Sequence, residues 1–114
     1  MIGIDIVSLA RIERIYNTKK EAFLRRYLSC SEMALVKSPK TAAGFWAAKE
    51  AASKALGTGI GKDLGFHDIL LAKTDAGAPV LDFDACVKEK HRINKCSVSI
   101  SHDGGFAVAA VMLS

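Results

Sequence analysis

Several kinds of segment are missing from this chain of 114 residues. The longest uninterrupted apolar run, Phe106 to Leu113, is far short of the roughly 20 residues a membrane-spanning helix needs. The first residues lack the basic start and apolar core of a signal peptide. Cysteine pairs are missing too. Cys30, Cys86 and Cys96 are odd in number, widely spaced and free of any CxxC, which argues against a zinc site and for free thiols in a reducing cytoplasm. Aromatic residues make up 7% of the chain and form no RNP-like cluster on which bases would stack. No repeat, low-complexity tract or Gly/Ser linker divides the sequence, so residues 1–114 are read as one domain.

What is present is apolar and mildly basic. Half of the residues are hydrophobic, at the upper end for a small domain. A chain this short completes such burial readily against copies of itself. The net charge is +4. Residues 1–26 hold Arg11, Arg14, Lys19, Lys20, Arg25 and Arg26 against Asp5, Glu13 and Glu21, and so carry three of those four charges. A basic first quarter suits an acidic partner: nucleic acid, an acidic protein or a phosphorylated ligand. It equally suits a solvated basic face.

The pattern predicts an α+β fold, a long helix packed on a mainly antiparallel sheet. Met1 to Val7 reads as a buried strand with Asp5 as its one charge. Ser8 caps a helix over roughly 9–17, with Leu9, Ile12, Ile15 and Tyr16 on one face. A second amphipathic stretch over about 20–28 turns Phe23, Leu24, Tyr27 and Leu28 inward, and Ser31 and Pro39 bracket a short helix. The strongest helix signal runs from Thr41 to Leu56: it is Ala-rich, has no internal proline and stops at Gly57. Residues 68–73 and 79–83 read as strands joined through Asp75-Ala76-Gly77. Asp84 caps a helix to about Arg92. Ser97 to His102, Asp103-Gly104-Gly105 and Phe106 to Leu113 spell a hairpin.

Four places invite chemistry. An ionised Asp5 among Ile4, Ile6 and Val7 is costly without a cation or hydrogen bonds, although an Asp here also suits a strand edge that caps the next helix. Glu50 and Lys54 share a helix face, either as an ordinary i,i+4 pair or as charges kept in a mostly buried helix for catalysis or metal binding. Gly57-Thr58-Gly59-Ile60-Gly61-Lys62 follows a helix rather than a strand, has Leu56 where a Walker A loop starts with Gly, and has Asp63 where that loop has Ser/Thr; nor does its glycine spacing fit a dinucleotide fingerprint. It remains either a helix stop or a flexible loop whose backbone N–H groups and lysine approach an anion. His102 ends a strand without the partners of a triad. Ser97, Ser99 and Ser101 share one strand face, open either to a ligand or to water.

The order of these signals is more specific than any one of them. Gly3-Ile4-Asp5-Ile6-Val7, then Lys49-Glu50-Ala51-Ala52-Ser53-Lys54-Ala55, then Gly57-Thr58-Gly59-Ile60-Gly61, and finally Ser99-Ile100-Ser101-His102 form a set that resembles the holo-[acyl-carrier-protein] synthase family, the small trimeric 4′-phosphopantetheinyl transferases. The likeness extends over nearly the whole chain, including Gly77-Ala78-Pro79. It implies transfer of phosphopantetheine from coenzyme A to a serine of apo acyl carrier protein, in fatty acid biosynthesis. Asp5 and Glu50 match the family's Mg²⁺ ligands, a hard-oxygen set that a few waters and phosphate oxygens complete. Lys54 matches the lysine at the phosphates and leaving group. Gly57, Thr58, Gly59, Gly61 and Lys62 match a loop beside the nucleotide, and His102 matches a histidine near the ribose phosphate. Arg11 matches a residue that meets the acidic carrier protein, with Arg14, Arg25 and Arg26 as helpers. The resemblance also implies a homotrimer with sites between subunits, and no nucleic acid or membrane partner.

One position departs from the family. Where its members commonly carry an arginine that helps hold the 3′-phosphate of coenzyme A, this chain has Phe45. Lys40, Lys49 or a residue of a neighbouring subunit are the candidates to replace it. Against this reading stand an RNA-binding α+β module and a structural oligomer. The RNA module gives no reason for acidic groups at Asp5 and Glu50, which repel phosphates unless a metal intervenes, and the structural oligomer leaves the charged pair as a salt bridge.

Overall fold

In the computed structural model, which describes residues 1–114, strand β1 (Ile2–Ser8) leads into helix α1 (Leu9–Tyr27), a single-turn helix α2 (Cys30–Met33) and the long helix α3 (Pro39–Leu56). A 3₁₀ turn (Phe66–Asp68) opens the hairpin of β2 (Ile69–Lys73) and β3 (Pro79–Phe83). Helix α4 (Ala85–His91) and the hairpin of β4 (Cys96–Asp103) and β5 (Phe106–Leu113) follow. Two antiparallel sheets result, one ordered β1-β5-β4 and one made of β2 and β3. Helix α3 lies across the larger sheet.

Most boundaries follow from local chemistry, and two expectations need correction. The two helices read over 9–17 and 20–28 are present as the two halves of α1, separated at Lys19, whose backbone leaves helical geometry. The short helix is capped by Ser29, not Ser31: Ser29 and Glu32 form a reciprocal capping box. Pro39 does not close that helix but opens α3, where its missing N–H costs nothing. Gly57 ends α3 with φ 83, the left-handed conformation expected of a C-terminal glycine.

Strand β1 is not buried on both faces. Its inward residues Gly3 and Val7 are buried, whereas Ile2, Ile4 and Ile6 on the outer face are 70%, 62% and 61% exposed. The register continues this face through Met112, Ala110 and Val108 of β5 to Ser97, Ser99 and Ser101 of β4. An apolar sequence in a two-faced strand looks fully buried when its outer face is also apolar.

The inner face holds the core. Alanines at 42, 43, 47, 48, 51, 52 and 55 let α3 lie close to the sheet. The approach is closest at Gly3, where a Cβ would collide with the Ala51 carbonyl and the Ala55 amide. At the other end of the helix, a Cβ on Gly44 would press on Ile100 and His102 of β4. Phe23 and Tyr27 of α1 meet Trp46 and Phe66 in an aromatic cluster with centroids 5.0–6.0 Å apart, and the Tyr27 hydroxyl donates to the Ala42 carbonyl at 2.9 Å.

Candidate active site

The contact between Gly3 and α3 brings the acidic residue of the first strand to the basic residue of the long helix. Asp5 points inward, in the same row as Ala109 and Ile100. The Lys54 ammonium donates to Asp5 Oδ1 at 2.9 Å and to the Ile4 carbonyl at 3.2 Å. Lys54 thus bypasses its i−4 neighbour. Glu50 enters no salt bridge, and the ordinary helix pair is not formed. Burial holds the Glu50 carboxyl above the usual carboxylate range, the nearby Asp5 charge raises it further, and Lys54 partly opposes both.

Two carboxylates that repel each other beside a single lysine form an incomplete set of hard oxygen donors. No group of three or more His, Cys, Asp or Glu side chains gathers anywhere in the chain. Two carboxylates are hard oxygen donors of the kind that a divalent cation such as Mg²⁺ takes together with water and phosphate oxygens.

The loop after α3 is more occupied than its sequence suggests. The Gly57 and Gly59 amides both donate to the Ser53 carbonyl, and the Gly61 amide donates to Leu64. These three glycines are not free anion donors, while Gly57, Thr58, Gly61 and Lys62 stay exposed. His102 lies elsewhere, on β4, across β5 from Asp5. Its Nε2 donates to the Lys40 carbonyl at 2.9 Å. Within one chain, then, Asp5, Glu50 and Lys54 gather at the β1 side of the sheet and His102 sits at the β4 side.

Lys49 drops out as a phosphate contact. Its ammonium is fully buried, 2.8 Å from Glu32 Oε1 and 3.0 Å from the Phe66 carbonyl. Glu32 also accepts from the Ser29 and Leu71 amides. The Ser29-x-x-Glu32 spacing is legible as a cap in the sequence, but its second job as partner to Lys49 is not. Lys40 stays exposed and lines a cleft of about 210 Å³ between the start of α3, the β2–β3 turn and β4. Lys73, which no motif marks, lines the same cleft. Arg11, Arg14, Arg25 and Arg26 are all exposed along α1, two on each side of the kink, and Arg25 pairs with Glu21 at 3.3 Å.

A helix laid on a small antiparallel sheet, with acidic groups where the first strand meets the helix, defines a class: the chain belongs to the 4′-phosphopantetheinyl transferase superfamily, whose family model matches residues 1–111. Within it, the similar proteins are holo-[acyl-carrier-protein] synthases. The one from Campylobacter curvus is 53% identical over 114 residues, covering 100% of both chains. That of Wolinella succinogenes is 52% identical over 113 residues, covering 99% of this chain and 96% of the relative. The crystal structure of the Helicobacter pylori enzyme in complex with coenzyme A superposes with a TM-score of 0.95 at 49% identity, over 100% of both chains. The Bacillus anthracis enzyme in complex with CoA (3′,5′-ADP) gives a TM-score of 0.82 at 40% identity, over 98% of this chain and 93% of that one.

Proposed function

We infer that this chain, as a single domain, moves the 4′-phosphopantetheine group of coenzyme A onto a serine of apo acyl carrier protein, giving holo carrier protein and 3′,5′-ADP. The observation that carries the reading is the meeting of Asp5, Glu50 and Lys54 from distant parts of the sequence, with Lys54 Nζ 2.9 Å from Asp5 Oδ1. The consequence is activation of a carrier protein for fatty acid biosynthesis. The three unpaired cysteines suit a cytoplasmic setting.

Asp5 and Glu50 hold Mg²⁺ in this reading. When bound, that ion offsets the charge that builds on the pyrophosphate oxygens. Lys54 neutralises the departing phosphate. The carrier serine attacks the phosphorus attached to pantetheine, the bond from that phosphorus to the oxygen of the nucleotide 5′-phosphate breaks, 3′,5′-ADP departs with that oxygen, and the serine proton passes to a water oriented by Asp5. The residues act through position and charge, which dominate phosphoryl-type transfer. Arg11 and Arg14, one turn apart on the exposed face of α1, receive the acidic carrier protein, with Arg25 and Arg26 beyond the kink extending that surface. The exposed loop with Thr58 and Lys62 lies beside the nucleotide.

Two features support a homotrimer with sites between copies. The outer face formed by Ile2, Ile4, Ile6 and Met112 is a contiguous exposed apolar surface, which a lone chain leaves in water. The strand order also puts Asp5 and His102 on opposite edge strands of one sheet, so a ring of copies brings the edge of one beside the edge of the next. Ile4→Asp should dissociate the assembly and lower activity together; sedimentation showing a fully active monomer removes this part of the reading.

The direct test is incubation with coenzyme A, Mg²⁺ and apo carrier protein, followed by intact-mass measurement. The expected result is a carrier heavier by one phosphopantetheine group. No mass gain, together with a salt-dependent shift of structured RNA, would overturn the assignment in favour of a nucleic-acid module.

A further inference from the structure

Helix α1 is unsupported at its middle. A helix packed along its whole length buries a residue every three or four positions. Here Ile12 is buried, and then Phe23, Leu24 and Tyr27, but every residue from Asn17 to Ala22 is exposed. None of that stretch joins the core. The backbone leaves helical geometry within it, at Lys19, with φ −139 and ψ 48. Proline and glycine, the usual causes of a sharp kink, are missing from the helix.

The cause is local and lies one residue earlier. The Thr18 hydroxyl reaches back to the Arg14 carbonyl at 3.0 Å and to the Ile15 carbonyl at 3.3 Å. A side-chain donor at those two carbonyls competes with the backbone amides of the helix, and such back-bonding bends helices. Thr18 also forms helix less readily than alanine, and its exposed position has no packing that asks for a β-branched side chain. A residue that weakens its own helix without supporting the core serves something outside the fold.

What the bend divides is charge. Helix α1 has six basic side chains against two acidic ones, Glu13 and Glu21. Arg11 and Arg14 lie before the break, Arg25 and Arg26 after it, and all four are exposed. Arg26 stands a full turn and more past Lys19, at the end of an arm of about 10 Å at helical rise. A kink of about 20° moves the end of such an arm by roughly 3–4 Å, further than a directional, charge-assisted hydrogen bond tolerates. The two arginine pairs therefore meet one rigid acidic surface together at one bend angle only. We propose that Thr18 is a positioning residue for the acidic carrier protein: its hydroxyl breaks α1 at Lys19 and so fixes the angle between the two arginine pairs. This rests on the transferase reading above, which supplies the partner.

The test removes the bend without touching a charge. Asn17→Ala/Thr18→Ala puts two good helix formers at the break. Its KM for apo acyl carrier protein should rise about fivefold or more, the loss expected when charge-assisted contacts are misaligned. KM for coenzyme A and kcat should stay within twofold of the wild type. The melting temperature should hold or rise by about a degree, because alanine favours the helix. Thr18→Ser keeps the hydroxyl and should keep the wild-type KM. An unchanged carrier KM in the double variant overturns the proposal, as does the same loss in Thr18→Ser. A rise in carrier KM matched by a fall in melting temperature marks a merely structural role and overturns it too. The wild type separates this from the transferase reading. If it modifies no carrier protein, both fall; if it is active and the double variant is indifferent, only the role of Thr18 is removed.

Discussion

Helix α3 carries two lysines that each meet a carboxylate from another element, and the two pairs have almost the same length. Lys49 lies 2.8 Å from Glu32 and Lys54 lies 2.9 Å from Asp5. Their surroundings are opposite. The first pair is 0% and 2% exposed, and its spare valences are filled by the Phe66 carbonyl and the Ser29 and Leu71 amides. The second is 53% and 14% exposed, with the unpaired Glu50 carboxyl nearby. A saturated buried pair fixes structure, because neither charge has anything left to bind. An open pair beside a second carboxylate retains capacity for a ligand. Length and residue type do not tell the two apart; burial and unfilled valences do.

The sharpest way to break the contrast is to remove a carboxylate from the open site. Asp5→Ala or Glu50→Ala should slow transfer by three orders of magnitude or more, about 4 kcal/mol on the barrier. Thermal unfolding should change little. A variant that still modifies carrier protein at near wild-type rate would exclude that side chain from the site.

At the closed pair the loss should appear as stability instead. Lys49→Met leaves Glu32 buried without its cation and should cost about 3–5 kcal/mol in urea unfolding. The double variant Glu32→Gln/Lys49→Met removes both charges but keeps an acceptor for only one of the two backbone amides, because Ser29 and Leu71 bond different Glu32 oxygens, and should recover part of the deficit. A loss below about 1 kcal/mol in the single variant contradicts the buried pair as drawn. Lys54→Ala should do the reverse. An exposed pair contributes about 1 kcal/mol or less to folding, whereas loss of the group that neutralises the leaving phosphate should lower kcat about a hundredfold.

Much of this was legible in the sequence, and the missing parts share a cause. Helix α3, its stop at Gly57 and the final hairpin are set by local signals: alanine content, a left-handed glycine and a two-glycine turn. Asp5, Glu50 and Lys54 stood out because charge interrupts apolar surroundings. What local signals do not carry is partner choice. Lys54 bonds to a residue far away in sequence rather than to Glu50, Lys49 is sealed by a glutamate that no sequence signal marked as its partner, and Lys73 sits on an ordinary exposed strand end. The exposed outer face of β1 was hidden for a related reason. Apolar residues on both faces of a strand mask its alternation, and only the placement of α3 reveals which face is covered.

The smallest effect is the most discriminating for the metal. Glu50 binds its proton more tightly in the folded chain than in the unfolded one, because of burial first and Asp5 second. Its contribution to stability is therefore fully present below the unfolded carboxylate range near pH 4 and is lost as pH rises through the raised folded value. At neutral pH without metal, the ionised Glu50 works against folding. Glu50→Gln should thus raise the melting temperature of the metal-free protein at pH 7, by a degree or two at most since the side chain is partly open to solvent. The gain should fade on acidification toward pH 4, where the wild-type carboxyl is protonated. Added Mg²⁺ should invert the order, stabilising the wild type and leaving the variant unmoved. If Glu50→Gln melts below the wild type in metal-free buffer, the two carboxylates do not repel each other across this cleft, and the case for a shared cation fails with them.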